Sequence, residues 1–522
     1  MTTTRPTSGP DPGGDLLAPS DVGSAARAGV RWLLAGRVLS QAVQVVTSVV
    51  LARILVPDDF GLIAMAVAVG GLPKAVGDFG LSTLVVQRRE IDRDFINGAF
   101  SLNLLIFIGL GILQVFLAPV GGLVLSDRRV VGVIAALAFA LPFEGFASFI
   151  QALLRRRLDF SEITKLNLLA AAVTSLVACL LAANGMGVWS LVIAQIAAPA
   201  SVSVRAWTMV GGDLKPAFSV SQIHYREIFD FGRFATGNSF INYVVQNMDY
   251  LLIGRLLPVA QLGFYYFAFE KSRILSRRLL DLYSNIALPA FSRMGGNTER
   301  IRLGYRAATT ATLLIISPVV TFLAFQARLV IPLVFGQQWS PSVLVFQILS
   351  VHVIVNAVTS GTGSVLYAVG RPDISFKIVR WIVIPLVISY YLGASTGGIV
   401  GVAIAVSVVK SLFSLIKLAV CFRFLGWETG STLRPVTGVV LGATVAGVFS
   451  LGLGRTVPVS GDWLILLMSS LFFCLIFGAS QLVANRTGLG LVWGTVLSPG
   501  QLGWCRSHLS GSFCRVLCIP AE

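Results

Sequence analysis

One apolar stretch follows another along almost the whole chain, from residue 29 to about residue 484. Each stretch meets the roughly 20 largely apolar residues that a helix needs to cross a bilayer core of about 30 Å. Of 522 residues, 55% are apolar and only 12% are charged, about half the charged share of a soluble domain. A water-soluble fold of this length could not bury so many apolar helices. The sequence therefore predicts a polytopic membrane protein.

The apolar stretches are too long and alternate too little to be strands of a membrane barrel, so we predict helices, whose backbone groups are satisfied within the segment. The fold class we predict is all-α, with about fourteen transmembrane helices in two parallel six-helix repeats and two extra C-terminal helices. The predicted spans are 29–55, 60–86, 97–124, 130–153, 165–185, 187–208, 229–255, 262–290, 304–330, 340–369, 374–393, 397–422, 433–453 and 462–484.

Loop charges set the predicted orientation. The connections after even-numbered spans are basic, as in "QRREIDRD" and "RRRLDFSEITK", whereas those after odd-numbered spans hold at most two basic residues each. Basic loops stay in the cytoplasm, so both termini are predicted to be cytoplasmic. The predicted segments are a disordered tail at 1–26, a six-helix bundle at 27–210, a cytoplasmic linker at 211–228, a second bundle at 229–425, two further helices at 426–484 and a cytoplasmic tail at 485–522.

The net charge of +16 has two interpretations. Nucleic-acid binding would require one concentrated basic patch, but the basic residues are spread over the loops next to the membrane, which favours anionic lipid headgroups as their partners. We therefore expect no nucleic-acid partner. In the C-terminal tail, Cys505, Cys514, Cys518 and His508 match no standard zinc spacing, and we predict no metal site and no cofactor there.

A short motif occurs twice. "VLARILVPDDFG" at residues 50–61 and "LIGRLLPVAQLG" at residues 252–263 each place an arginine eight positions before a glycine. Arg53 and Gly61 recur as Arg255 and Gly263. Six predicted spans separate the copies, and an even number preserves orientation, so we interpret the halves as parallel repeats with a substrate path between them.

Each copy continues with a base four residues before an acid. Lys74 precedes Asp78, and Arg277 precedes Asp281, a spacing that puts both groups on one helix face about 20 Å below the outer surface. One interpretation is a self-neutralised pair that makes the helix tolerable in lipid. The other is that the bases line a watery cavity and bind an anion.

Bases outnumber acids in these spans, and a positive cavity suits a phosphate or pyrophosphate, which arginine binds by charge-assisted hydrogen bonds. The predicted anion-binding residues are Arg37, Lys74, Arg273, Arg277 and Arg278. The candidate coupling sites for a proton or sodium ion are Asp78, Glu144, Asp249 and Glu270. Polar side chains that could contact sugar hydroxyls, or instead bond neighbouring helices, are Gln44, Asn103, Asn242, Gln246 and Asn247.

The stretch "VLARILVPDDFGLIAMAVAVGGLPKAVGDFGLSTLVVQRREI", followed in order by "NMDYLLIGRLL", "GFYYFAFE", "LPAFSRM", "LVFGQQW" and "GRPDISFK", resembles the polysaccharide transporter family. These are the Wzx-type flippases of the multidrug/oligosaccharidyl-lipid/polysaccharide superfamily, and the closer likeness is to the lipopolysaccharide and exopolysaccharide export subgroup.

The resemblance implies two bundles in a V shape and alternating access in the bacterial inner membrane. It implies transport of an undecaprenyl-pyrophosphate-linked oligosaccharide to the outer leaflet, driven by a proton or sodium gradient rather than a cofactor. Membrane lipids, a polysaccharide polymerase and export machinery are the further partners that we expect.

Three other functions are alternatives to that of a flippase. A cation-coupled multidrug exporter of the same superfamily would carry an acid in its first helix, but the chain has none between Asp21 and Asp58. A membrane enzyme would need carboxylates or metal ligands in a sizeable exterior loop, and the predicted exterior loops are short. One sequence alone does not exclude a third function, that of a scaffold protein without transport activity.

Overall fold

The computed structural model describes residues 19–88, 91–157, 159–209, 216–218, 225–294, 297–456 and 462–484. Within those ranges the chain is helical and contains no strand. The C-terminal cysteines and His508 lie outside them, as do residues 1–18 of the predicted tail. The first helix begins at Pro19, a first helical position where proline is tolerated, and so includes residues 19–26 of the predicted tail.

The helices of the first half account for the first seven predicted spans. They are α1 (Pro19–Ile54), α2 (Pro57–Gly77), α3 (Leu81–Gln87), α4 (Arg93–Leu125), α5 (Arg129–Leu137), α6 (Leu141–Arg156), α7 (Phe160–Ala183), α8 (Val188–Met209) and α9 (Tyr225–Leu256). The helices of the second half are α10 (Val259–Arg293), α11 (Thr298–Phe325), α12 (Ala327–Phe335), α13 (Ser342–Thr359), α14 (Gly361–Ala368), α15 (Pro372–Leu425), α16 (Thr429–Thr456) and α17 (Asp462–Ala484).

Eleven helical segments among the described residues are long and apolar enough to cross a membrane. These segments confirm the predicted all-α membrane fold, but they do not confirm the count of fourteen. Helices α9 and α10 are not among the eleven, and α15 counts once although two spans, 374–393 and 397–422, were predicted there. The backbone of α15 leaves the helical conformation at Gly398, where φ is 56° and ψ is −141°, so a kink separates its two parts.

The chain forms two compact units, Met1–Gly263 and Phe264–Glu522. In the first unit, α7 packs against α1 and α8, and α2 packs against α4, α5 and α9. In the second unit, α13 packs against α11 and α15, and α16 packs against α11 and α17. The contact with α2 places α9 in the first unit. The proposed bundle boundaries at 210 and 229 stay a prediction.

The two glycines of the repeated motif contact each other's segments. A Cβ atom on Gly61 would collide with the backbone carbonyl of Val259, and one on Gly263 would collide with the carbonyl of Pro57. Pro57 lies four residues before Gly61, and Val259 lies four residues before Gly263, so the contact is symmetric. Small residues allow helices in membranes to approach this closely. The motif therefore has a packing role in both copies.

A second pair of contacts supports the repeat within each unit. The Ser203 hydroxyl of α8 donates to the Phe143 carbonyl of α6 at 2.8 Å. The Ser407 hydroxyl of α15 donates to the Ile348 carbonyl of α13 at 3.0 Å. The two serines are about 200 residues apart, close to the spacing of the repeated motif. The fourth spans of the two predicted repeats, 130–153 and 340–369, are therefore held by the same kind of hydrogen bond.

Candidate functional site

The fourth span of the first unit is broken in the middle. Helix α5 passes into a single 3-10 turn at Ala138–Ala140 before α6 begins at Leu141. Pro142 lacks an N–H group, so an α-helix through this point would lose a hydrogen bond. Gly111 of α4 lies close to the Ala138 carbonyl. Irregular backbone at membrane depth is tolerated only where protein groups or water satisfy it.

Polar side chains of neighbouring helices satisfy this irregular backbone. From α4, the amide of Gln114 donates to the Ile134 carbonyl at 2.8 Å, and that of Asn103 donates to the Gly145 carbonyl at 2.7 Å. Together with Ser203 they clamp the break on both sides. Asn103 is only 1% exposed. Of the two interpretations of Asn103, the structure shows the helix–helix hydrogen bond, and the sugar contact stays a prediction.

Glu144 lies in the first turn of α6, directly after the break, and forms an ion pair with Lys74 of α2. Lys74 Nζ lies 2.5 Å from Glu144 Oε1. The Glu144 side chain is 16% exposed, whereas that of Lys74 is 64% exposed. The second carboxylate oxygen, Oε2, is buried and has no hydrogen-bond partner among the residues that the structure describes. The structure thus joins one predicted anion-binding residue to one predicted coupling residue.

The pairing of Lys74 with Asp78 within one helix is wrong. Asp78 is the residue at the C-terminal end of α2, and its Oδ1 accepts hydrogen bonds from the N–H and hydroxyl groups of Ser82 in α3. The helix ends there because Phe79 and Gly80 adopt positive φ values of 45° and 73°. Asp78 therefore stabilises the turn between α2 and α3, and Lys74 reaches Glu144 instead.

In the second unit, basic side chains lie on aromatic rings. The guanidinium carbon of Arg273 is 4.7 Å from the centre of the Phe269 ring, and Lys410 Nζ is 5.5 Å from the same centre. Lys271 Nζ is 5.5 Å from the centre of the Phe267 ring. Such contacts are attractive by about 0.5–2 kcal/mol. We call Arg273 and Lys410, which share the Phe269 ring, the cationic cluster; Lys271, two residues before Arg273, points to the other side of α10.

Two sequence motifs of the family resemblance meet beneath Lys271. Phe267, from "GFYYFAFE", stacks on Trp339, from "LVFGQQW", with ring centres 4.1 Å apart. Phe335 of the second motif meets the edge of Phe267 at 5.0 Å and also lies 5.8 Å from Lys271 Nζ. Trp339 is fully buried. The motifs therefore form one aromatic support for Lys271.

Sequence reasoning missed Lys410 and also Lys417, both in the second part of α15. The Lys417 amino group lies near Gly363 of α14, and the residue after Lys410, Ser411, contacts His352 Nδ1 of α13 at 3.1 Å. Both lysines fall inside the predicted span 397–422, where a charged residue is unusual enough to indicate function. Their spacing of seven residues, two helical turns, was the available signal.

The remaining candidates are dispersed. Arg37 is half-buried in α1, and the structure records no ion pair between it and another residue in the ranges given above. Asp249 is fully buried in α9, and Glu270 is half-buried in α10, next to Lys271. Asn247 donates to the Tyr243 carbonyl of its own helix, while Gln44, Asn242 and Gln246 are exposed. The side chains of Arg277, Arg278 and Asp281 lie outside the description.

The helical fold resembles known membrane transporters. The structure of the lipid II flippase MurJ in an inward-closed conformation superimposes with a TM-score of 0.69 at 12% identity, covering 87% of this chain and 99% of that one. An inward-facing multidrug resistance transporter of the MATE family, in the MOP superfamily, gives a TM-score of 0.60 at 15% identity over 74% of this chain and 94% of that one. The protein is therefore a polytopic helical membrane protein with the fold of this superfamily.

Sequence comparison narrows the class to a family. The profile of the family described as polysaccharide biosynthesis protein matches residues 50–344, and the chain belongs to that family. The lipopolysaccharide biosynthesis protein WzxC of Escherichia coli strain K12 is 25% identical over 403 residues, which cover 76% of this chain and 80% of the relative. The predicted membership in the Wzx-type polysaccharide transporters is confirmed.

Proposed function

We propose that the protein flips a polyprenyl-pyrophosphate-linked oligosaccharide repeat unit from the cytoplasmic to the outer leaflet of the bacterial inner membrane. The observation that carries this proposal is the cationic cluster on α10 and α15 in a chain that belongs to a polysaccharide biosynthesis family. The fold shared with a lipid II flippase supports a lipid-linked substrate. In this proposal the protein is a transporter and not an enzyme.

The cluster has the charge that a pyrophosphate requires. Its two bases, Arg273 of α10 and Lys410 of α15, lie on one aromatic ring. An aromatic face attracts a cation without neutralising its charge. A pyrophosphate can therefore bind the same bases by charge-assisted hydrogen bonds. The polyprenyl tail stays in the lipid while the headgroup crosses.

In the first unit, we propose that the pyrophosphate competes with Glu144 for Lys74. The exposed ammonium group can reach a substrate, whereas the carboxylate stays fixed at the break in span 4. When Lys74 moves to the substrate, Glu144 loses its counter-ion and takes up a proton or a sodium ion. This exchange would couple transport to an ion gradient.

A cation-coupled multidrug exporter is the second candidate, because the fold also matches a multidrug transporter. A cationic drug would require carboxylates at the site, yet the cationic cluster repels positive charge. Helix α1 contains Arg37 and has no acid beyond Asp21. These charges favour an anionic substrate.

Deletion of the gene tests the two candidates directly. We expect the deletion strain to accumulate finished polyprenyl-pyrophosphate-linked glycan on the inner leaflet and to lose surface glycan, with unchanged drug sensitivity. The purified protein in proteoliposomes should move the same lipid to a leaflet where an impermeant glycosidase can cleave it. Normal surface glycan combined with increased drug sensitivity would contradict the flippase proposal.

A further inference from the structure

A cavity separate from the residues discussed so far lies at one end of the first unit. It has a volume of about 390 Å³, within the range of small-molecule sites. The C-terminal end of α6, the first turn of α7 and the last turns of α8 enclose it. Its lining residues are Ile150, Leu153, Leu154, Arg157, Asp159, Glu162, Arg205 and Met209.

The cavity combines two cations, two anions and an apolar wall. The carboxylate of Asp159 caps α7 by accepting from the Ser161 hydroxyl at 3.0 Å and the Glu162 N–H at 3.3 Å. Glu162 Oε1 pairs with Lys165 at 2.6 Å. These contacts fix both carboxylates in position. The first turn of α7 therefore holds two carboxylates in fixed positions on one side of the cavity.

Part of the polar lining is not used by the protein itself. Glu162 Oε2 is buried and lacks a hydrogen-bond partner among the residues with described side chains. The Arg157 backbone N–H bonds the Leu153 carbonyl at 3.1 Å, but its guanidinium group is exposed and has no hydrogen bond or ion pair recorded with any of those residues. Arg205 makes one long contact, 3.3 Å from its Nη1 to the Thr208 hydroxyl. A buried oxygen without a donor costs about 1–3 kcal/mol, so a ligand that supplies one would be favoured.

We infer that this cavity binds the headgroup of a zwitterionic aminophospholipid, with phosphate on Arg157 and Arg205 and ammonium at Glu162. The phosphate accepts charge-assisted hydrogen bonds from guanidinium groups. The primary ammonium supplies the donor that Glu162 Oε2 lacks among the described residues, which neither an anionic glycerol headgroup nor a choline, with no N–H, can do as well. Ile150, Leu154 and Met209 offer an apolar surface for the glycerol and the first acyl carbons.

The position of the cavity agrees with a lipid ligand. It lies where α6, α7 and α8 begin or end, beside the basic segment "RRRLDFSEITK", and basic loops face the cytoplasmic leaflet. A lipid bound there would join the three helices. Since α6 also carries Glu144 at its other end, the lipid would brace the helix that holds the ion pair. This site does not depend on the proposed transport function.

The experiment uses the whole protein in nanodiscs of phosphatidylcholine containing a small fraction of phosphatidylethanolamine or phosphatidylglycerol, with co-purified lipid measured by native mass spectrometry. We expect phosphatidylethanolamine to be retained at least fivefold above its share of the bilayer. The double variant Arg157→Gln, Arg205→Gln should lose this enrichment. Glu162→Gln should lower phosphatidylethanolamine to the level of phosphatidylglycerol.

Two control variants separate binding from folding. Lys165→Gln removes the other partner of Glu162 without lining the cavity, and Arg129→Gln removes a base at the opposite end of the unit. Both should keep the enrichment, and every variant should keep the thermal midpoint of the parent within about 3 °C. Equal retention of all three lipids, stronger retention of phosphatidylglycerol, or enrichment that survives the arginine double variant would overturn the inference.

Discussion

The fourth span of each repeat is held by the same serine hydrogen bond but differs at the next residue. In the first unit, Ser203 donates to the Phe143 carbonyl and Glu144 follows. In the second unit, Ser407 donates to the Ile348 carbonyl and Leu349, which is buried, follows. The serine hydrogen bond is therefore present in both repeats. The residue that follows its acceptor is a carboxylate in the first repeat and an apolar residue in the second.

The two units also differ in the groups that their basic side chains contact. Lys74 of the first unit has a carboxylate partner at 2.5 Å, so its charge is balanced. Arg273 and Lys410 of the second unit share the face of Phe269. One unit thus provides an ion pair that can exchange partners, and the other provides two cations on one aromatic ring.

Removing the positive charge of the second unit should have the largest effect. We expect the double variant Arg273→Gln, Lys410→Gln to reduce glycan export at least tenfold at normal membrane abundance, because a pyrophosphate loses two charge-assisted hydrogen bonds. Proteoliposome flipping and surface glycan measure the loss. The control is Lys377→Gln, an exposed lysine of α15 that pairs with Asp373 at 3.8 Å and should leave export unchanged. Export at the parent rate in the double variant would exclude the cluster from binding.

The ion pair of the first unit predicts a smaller effect on stability and a separate effect on transport. Lys74→Met should lower stability by about 1–2 kcal/mol, between the values for exposed and buried pairs, because it leaves Glu144 without a partner. Adding Glu144→Gln should restore the thermal midpoint but not the transport rate. A double variant that transports normally would show that the pair is only structural.

The sequence predicted the membrane class, the all-helical fold and the family because apolar length and motif order depend on local residue patterns. It also predicted the residues of the ion pair, Lys74 and Glu144, but not their pairing. Proximity in sequence favoured Asp78, and the turn at Phe79 and Gly80 that diverts Asp78 to Ser82 becomes visible only in the backbone. Lys410 was missed because its partner ring, Phe269, lies in a helix 141 residues away.

Removing the serine hydrogen bond should lower stability equally in both units. Ser203→Ala and Ser407→Ala should each cost about 0.6 kcal/mol, the average measured for hydrogen bonds between membrane helices. Thermal unfolding in detergent, read by the fluorescence of the purified variants, gives the two values. Ser201→Ala serves as the control, because among the described residues its hydroxyl bonds the Ala198 carbonyl of its own helix and no other helix. A much larger loss for Ser203 would mean that the clamp also positions Glu144.

The smallest effect is expected from the ion pair between Arg129 and Asp127 of the first unit, which gives a reference for the Lys74 pair. A side-chain hydrogen bond from Arg129 lowers the pKa of Asp127 below its ordinary value, against the opposing effect of burial. The pair contributes stability above the unfolded pKa of about 3.9 and loses it as the pH falls through the lower folded value. Asp127→Asn should therefore lower stability by about 0.5 kcal/mol at pH 7, since the group left behind, Arg129, is 56% exposed and keeps Asp58 at 3.6 Å. The difference in stability between parent and variant should be constant above about pH 5 and shrink below about pH 4.

A stability difference that grows in acid would assign the contribution to another group. A difference as large as that of Lys74→Met would remove the distinction between the two pairs.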